Sequence, residues 1–140
     1  MRSVVQRVRS ASVASGGEQL AAIGPGLLVL LAVHRGDTAE DADAHARKLL
    51  ALRIFDDADG RMNRSVVEEG GEVLCVSNFT IYADTRRGSR PSFAAAAHPD
   101  LAEPLYERVR EAMGACGGRF GARMAVELVN DGPVTVVVET

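Results

Sequence analysis

Residues 2–33 read RSVVQRVRSASVASGGEQLAAIGPGLLVLLAV, and their pattern decides the fold class. From Arg2 onward the side chains alternate, with Val4, Gln6, Val8 and Ser10 on one face and Val5, Arg7, Arg9 and Ala11 on the other. A period of two belongs to a β-strand. Ser15-Gly16-Gly17 supplies a turn, and Glu18–Ile23 returns as the partner strand of a hairpin. Gly24-Pro25-Gly26 breaks the chain again. Leu27–Val33 is apolar without interruption, the mark of a strand covered on both faces.

Outward from this region the chain alternates less regularly. Thr38 opens a helix, with Asp41 at its third position as a short-armed capping box. Ala39, Ala42, Ala46, Leu49, Leu50 and Arg53 keep helical spacing, and the helix is expected to end between Leu52 and Phe55. Asp56-Asp57-Ala58-Asp59-Gly60 is a turn cluster; it lacks the spacing and terminal glutamate of a calcium-binding EF-hand. Gly70-Gly71 precede a strand over Glu72–Phe79, and a long loop from Ala83 to His98 follows. Asp100 is expected to cap a second helix, with Glu103 completing its capping box and Pro104 in its first turn. Leu105, Val109 and Met113 form that helix's apolar stripe. Arg123–Val129 and Val134–Glu139 are two closing strands bent at Asp131-Gly132-Pro133. Strands do not alternate regularly with helices, so a doubly wound parallel sheet is disfavoured. The expected fold is α+β: a mainly antiparallel sheet, as a sandwich or partial barrel, with two main helices in a single domain over residues 1–140.

Composition narrows the classes. At 140 residues and 46% apolar content the chain can bury a full core, roughly 70% of its unfolded surface. It needs no metal or disulfide for that purpose. Cys75 lies in an apolar run and Cys116 in a glycine-rich stretch, neither in a metal-spaced set, so both read as free thiols of a cytosolic protein. No signal peptide is recognisable, and the longest apolar stretch, Leu27–Val33, is far too short to span a membrane. The expected location is cytoplasmic. A net charge of −3 argues against broad affinity for nucleic acid.

No residue set announces conventional hydrolytic chemistry. His34, His45 and His98 lie outside the two hydroxyl-rich runs, Ser77–Tyr82 and Asn130–Thr135. There is no G-x-S-x-G elbow, H-E-x-x-H pair or P-loop. Ser77 and Thr80 at a strand end have two readings: they cap backbone groups, or they border an oxyanion pocket made by backbone N–H groups where strand pairing stops. Phe79 is then core or pocket wall. Gly132-Pro133 is either an ordinary turn or a cis peptide that aims successive carbonyls in an unusual direction.

Two motifs connect these fragments. Ser77-Asn78-Phe79-Thr80 resembles the S-Q-F-T signature of the D-aminoacyl-tRNA deacylases, and Asn130 to Thr135 matches that family's N-x-G-P-V-T signature without a gap. Val5-Gln6-Arg7-Val8, Arg53-Ile54-Phe55, Met62-Asn63, Arg87-Gly88 and Arg90-Pro91-Ser92-Phe93 extend the similarity across the chain. Asn78, one methylene shorter than the family's glutamine, is the departure.

The resemblance implies a homodimer that cleaves the ester joining a D-amino acid, or glycine, to the acceptor end of tRNA, without metal or other cofactor. Gly132-Pro133 would be cis and reach into the other subunit's pocket, its carbonyls accepting from the substrate's α-amino group. Ser77, Phe79 and Thr80 would form the reaction site, with Asn78 beside them on the substrate. Arg7 is implied to brace the Gly-Pro segment. An L-amino acid would drive its side chain into this wall. Water would be activated with help from the terminal adenosine's own 2′-OH, with Thr80 as a further candidate. Arg86, Arg87 and Arg90, clustered beside the first motif, are the candidate phosphate contacts to tRNA. Two alternatives remain: a deacylase tuned to glycine or a small L-residue, and a nucleic-acid-binding or scaffolding dimer without catalysis.

Overall fold

The computed structural model describes residues 1–140. Strand β1 (Arg2–Ser15) organises it, pairing antiparallel with β2 (Glu18–Ile23), β3 (Gly26–Ala32) and β8 (Ala125–Glu139). Because β8 runs along β1 from Arg2 to Ala14, β3 and β2 must follow one another along the opposite edge. The sheet continues from β3 to β6 (Glu72–Ser77) and then to β7 (Cys116–Gly117), both pairings parallel. A small hairpin of β4 (Phe55–Asp56) and β5 (Met62–Arg64) stands apart. The sheet is therefore mixed, with antiparallel pairs in the majority, and it curls toward a barrel.

β3 is buried on both faces, as its unbroken apolar run requires. Leu27, Val29 and Leu31 enter a core shared with α1 (Ala39–Leu50) and α3 (Pro99–Ala112), whereas Leu28 enters a second core with Val8, Val13, Leu74 and Val76. Simple alternation along β1 does not survive: Val5 belongs to the first core and Ala11 to the second. Register shifts on both sides of Val8 exchange the faces. Where β3 meets β6, a Cβ on Gly26 would lie 1.8 Å from the Glu72 carbonyl oxygen, so only glycine permits this pairing.

Four boundaries differ from the sequence expectation. Helix α1 carries the expected Thr38–Asp41 capping box but stops at Leu50. The cap of α3 is His98, whose ring accepts from the Asp100 N–H; Pro99 holds the first helical position, which puts Pro104 in the second turn and not the first. β6 ends at Ser77, and Phe79–Tyr82 is a 3₁₀ turn, not strand. The last two expected strands are one, β8, running through Gly132-Pro133. A short helix α2 (Val66–Glu69), closed by a Ser65–Glu68 capping box and Gly70, was not foreseen.

Candidate active site

Ser77 ends β6 beside Leu31 of β3, and the Asn78 N–H donates to the Leu31 carbonyl at 2.8 Å. There the strand stops. Asn78 turns to φ −147°, ψ 85°, and Phe79–Tyr82 wind into one 3₁₀ turn closed by Ala83 N–H to the Thr80 carbonyl at 3.0 Å. The N–H groups of Phe79 and Thr80 begin this turn, where no preceding helical carbonyl can accept from them. The Thr80 hydroxyl donates to Asn78 Oδ1 at 2.6 Å, which fixes the amide with its NH₂ free.

These residues border a cavity of about 750 Å³. Ser77, Asn78 and Phe79 line it from the end of β6; Phe93, the alanines 94, 96 and 97, Phe120 and Met124 are among its apolar lining. Phe79 is 55% exposed and meets Phe93 edge to face, with centroids 5.2 Å apart. It is therefore wall and not core. His98 lies on the same cavity, a histidine that the sequence did not connect with Ser77. Only the closure of α3 against β3 and β6 brings it there.

The second motif occupies a different place. Gln6 pairs with Thr135 and Val8 with Asn130, so two steps on β1 answer five on β8, and residues 131–134 bulge from the ladder. The Asn130 side chain closes the bulge: Oδ1 accepts from the Val134 N–H at 2.8 Å, and Nδ2 donates to the Val134 carbonyl at 3.1 Å. The sequence showed Asn130 only as the first residue of the motif; its clamping role needed the register. Gly132-Pro133 is cis, and both residues are exposed. Gly132 sits at φ +141°, and an added Cβ would meet Val134 Cγ2 at 2.7 Å and its nitrogen at 2.9 Å.

Arg7 lies behind the bulge, 8% exposed. Its Nε donates to the Asp131 carbonyl at 2.9 Å and its Nη1 to the Ile54 carbonyl at 2.8 Å, with Asp56 Oδ1 at 3.5 Å. One guanidinium thus ties the bulge to the chain entering β4. Gly132, Pro133 and Arg7 are not among the residues lining the cavity of their own chain, which brings together Ser77, Asn78 and Phe79 with Thr80 adjacent.

The three arginines of the loop after Thr80 are not equivalent. Paired backbone hydrogen bonds between Asp84 and Ser92 close that loop. Arg86 is bound bidentately by Asp84, at 2.9 and 2.6 Å, and this guanidinium holds the Asp84 carboxyl far below its usual range. Arg87 and Arg90 are exposed and make no ion pair. No three His, Cys, Asp or Glu side chains converge as metal ligands do, and no helix is long and apolar enough to cross a membrane.

The sequence model described as D-Tyr-tRNA(Tyr) deacylase matches residues 4–139. The chain belongs to that family. A D-aminoacyl-tRNA deacylase of Symbiobacterium thermophilum is 53% identical over all of this chain and 96% of its own length. One of Opitutus terrae is 57% identical over all of this chain and 97% of its own. A solved structure named c-Myc DNA Unwinding Element Binding Protein superposes with a TM-score of 0.94 at 40% identity, covering 100% of this chain and 99% of that one. A probable eukaryotic D-amino acid tRNA deacylase shares the fold, with a TM-score of 0.82 at 19% identity over 98% and 97% of the two chains. Both motifs of this D-Tyr-tRNA deacylase family member lie where strand pairing is interrupted, the first at the end of β6 and the second in the β1–β8 bulge.

Proposed function

We propose that this protein is a cytoplasmic, metal-independent homodimer that hydrolyses D-aminoacyl-tRNA. The observation that carries the reading is the turn at Phe79-Thr80, which presents unpaired N–H groups at the mouth of a mostly apolar cavity. Water adds to the ester carbonyl, the oxyanion is held by these N–H groups, and the C–O bond breaks to leave free D-amino acid and the tRNA hydroxyl. An aminoacyl ester is intrinsically reactive, so positioning supplies much of the barrier reduction. The 2′-OH of the terminal adenosine assists the water. Thr80 places the turn and, through its hydroxyl, orients Asn78.

The stereochemical filter is assigned to Gly132-Pro133 of a second subunit, whose carbonyls accept from the α-amino group while L side chains collide with the wall. Two features support this. The pair projects from the bulge and is absent from its own chain's cavity. β8 pairs only with β1 and carries exposed Val129 and Val137 (51% and 65%), an apolar edge suited to a second copy. Glycine lacks a side chain to exclude, so glycyl-tRNA mischarged on tRNA(Ala) is a further substrate. Arg87 and Arg90 are the phosphate contacts near the acceptor end; Arg86, neutralised by Asp84, contributes less.

The test is deacylation of matched D-Tyr-tRNA and L-Tyr-tRNA, with and without EDTA. Rapid release from the D-ester alone, unaffected by chelator, is expected. Equal loss of both esters overturns the filter, and tRNA binding without turnover favours a binding or scaffolding protein.

A further inference from the structure

We propose that His98 is a substrate-binding residue whose Nε2–H contacts the terminal adenosine of the acceptor end; this rests on the deacylase reading above. The cavity offers only three polar side chains. Ser77 and Asn78 share one wall at the end of β6, and His98 stands on another, at the start of α3. The alanines preceding it, Ala96 and Ala97, are too small to cover the ring, and its side chain is 76% exposed.

The ring's two nitrogens have separate fates. Nδ1 accepts from the Asp100 N–H at 3.4 Å, which in the neutral ring puts the proton on Nε2. Asp100 Oδ2 lies 3.3 Å from the same Nδ1. Both Asp100 groups thus occupy Nδ1, and Nε2 has no partner in the chain. The cavity therefore has a hydrogen-bonding nitrogen on a flat aromatic ring at the border of an apolar enclosure with three phenylalanines, Phe79, Phe93 and Phe120. A purine nucleoside matches that combination, with a ring to stack and nitrogen and ribose oxygens to accept. Ser77 and Asn78 line the same cavity from the end of β6, beside the turn to which the proposed reaction assigns the ester.

A merely structural histidine would cap α3 and do nothing more. His98→Ser separates the two roles, because serine is a good N-cap and cannot reach the cavity. Steady-state deacylation of D-Tyr-tRNA is measured for the native protein, His98→Ser and His98→Ala, together with binding of a non-hydrolysable 3′-amide of D-tyrosine and 3′-aminoadenosine. In His98→Ser the expected result is an unchanged melting temperature, a KM raised about fivefold with kcat within about twofold, and an equal loss of affinity for the amide. Native KM in His98→Ser with a defect only in His98→Ala reduces His98 to a cap and overturns the proposal. A raised KM with unchanged amide affinity moves the contact beyond the adenosine and also overturns it. If the native protein leaves D-Tyr-tRNA intact, the deacylase reading fails by itself, while amide binding to the native and serine proteins still decides whether His98 meets a nucleoside.

Discussion

Arg7 shows how much one side chain can hold. Its guanidinium satisfies two carbonyls from segments 77 residues apart in sequence (131 − 54), and it is almost fully buried. Arg7→Ala leaves both acceptors unpaired in a confined site, at a cost of about 2–4 kcal/mol. Chemical denaturation is expected to show that loss, with deacylation falling more steeply than stability because the bulge loses its anchor. Arg7→Lys should recover little, since an ammonium lacks the planar fork that spans two carbonyls. Gly132→Ala places a Cβ against Val134 and demands a φ of +141° from an alanine. A D-ester assay on the folded variant should show at least a tenfold loss. Thr80→Val keeps the turn and its N–H groups while removing the hydroxyl that Asn78 accepts. A kcat lowered by less than about tenfold is expected; a loss on the order of 10²–10³ would assign the hydroxyl the role of an oxyanion donor or base.

At the scale of the element, α1 is tied to the sheet by a buried histidine. His45 lies between Ser3 Oγ at 2.7 Å and Thr140 Oγ1 at 2.8 Å, and burial, with the nearby Met1 amine second, lowers its pKa to about 4. The unfolded chain takes up a proton near pH 6.5 that the folded chain refuses until about 4. Stability from this group is thus complete above about pH 6.5 and declines as pH falls toward 4, by on the order of 3 kcal/mol. Urea midpoints measured from pH 7 to 4.5 should show the decline, and His45→Asn should flatten it. Element boundaries were the part that sequence predicted least well. Asp100 has the chemistry of a cap, but Pro99 fits the first helical position so well that the cap moved back to His98.

For the whole molecule, the edge of β8 that pairs with no other strand is the surface on which the proposed dimer is tested. Val129→Glu with Val137→Glu replaces exposed apolar groups and leaves both cores untouched. Sedimentation should show a shift from dimer to monomer, with melting changed little for the monomer fold. Deacylation should fall in proportion to the monomer fraction, as the proposed sharing of Gly132-Pro133 between two copies requires. A monomeric variant of full activity would refute the shared site.

Local patterns determined a good deal alone. The period of two in β1, the continuous apolar run of β3 and the Thr38–Asp41 box each encode their element within a few residues, because strand alternation and helix capping are short-range effects. The motif residues Ser77–Thr80 and Asn130–Thr135 were visible in the same way. Tertiary structure decided what no window of sequence contains. The parallel β3–β6 pairing depends on the close approach of Gly26 to Glu72, and the change of face along β1 depends on β8 contributing extra residues opposite Arg7. His98 joins the cavity because α3 packs back over β3 and β6. Those relations are set by packing between segments far apart in the chain, and contact distance, unlike periodicity, leaves no local mark.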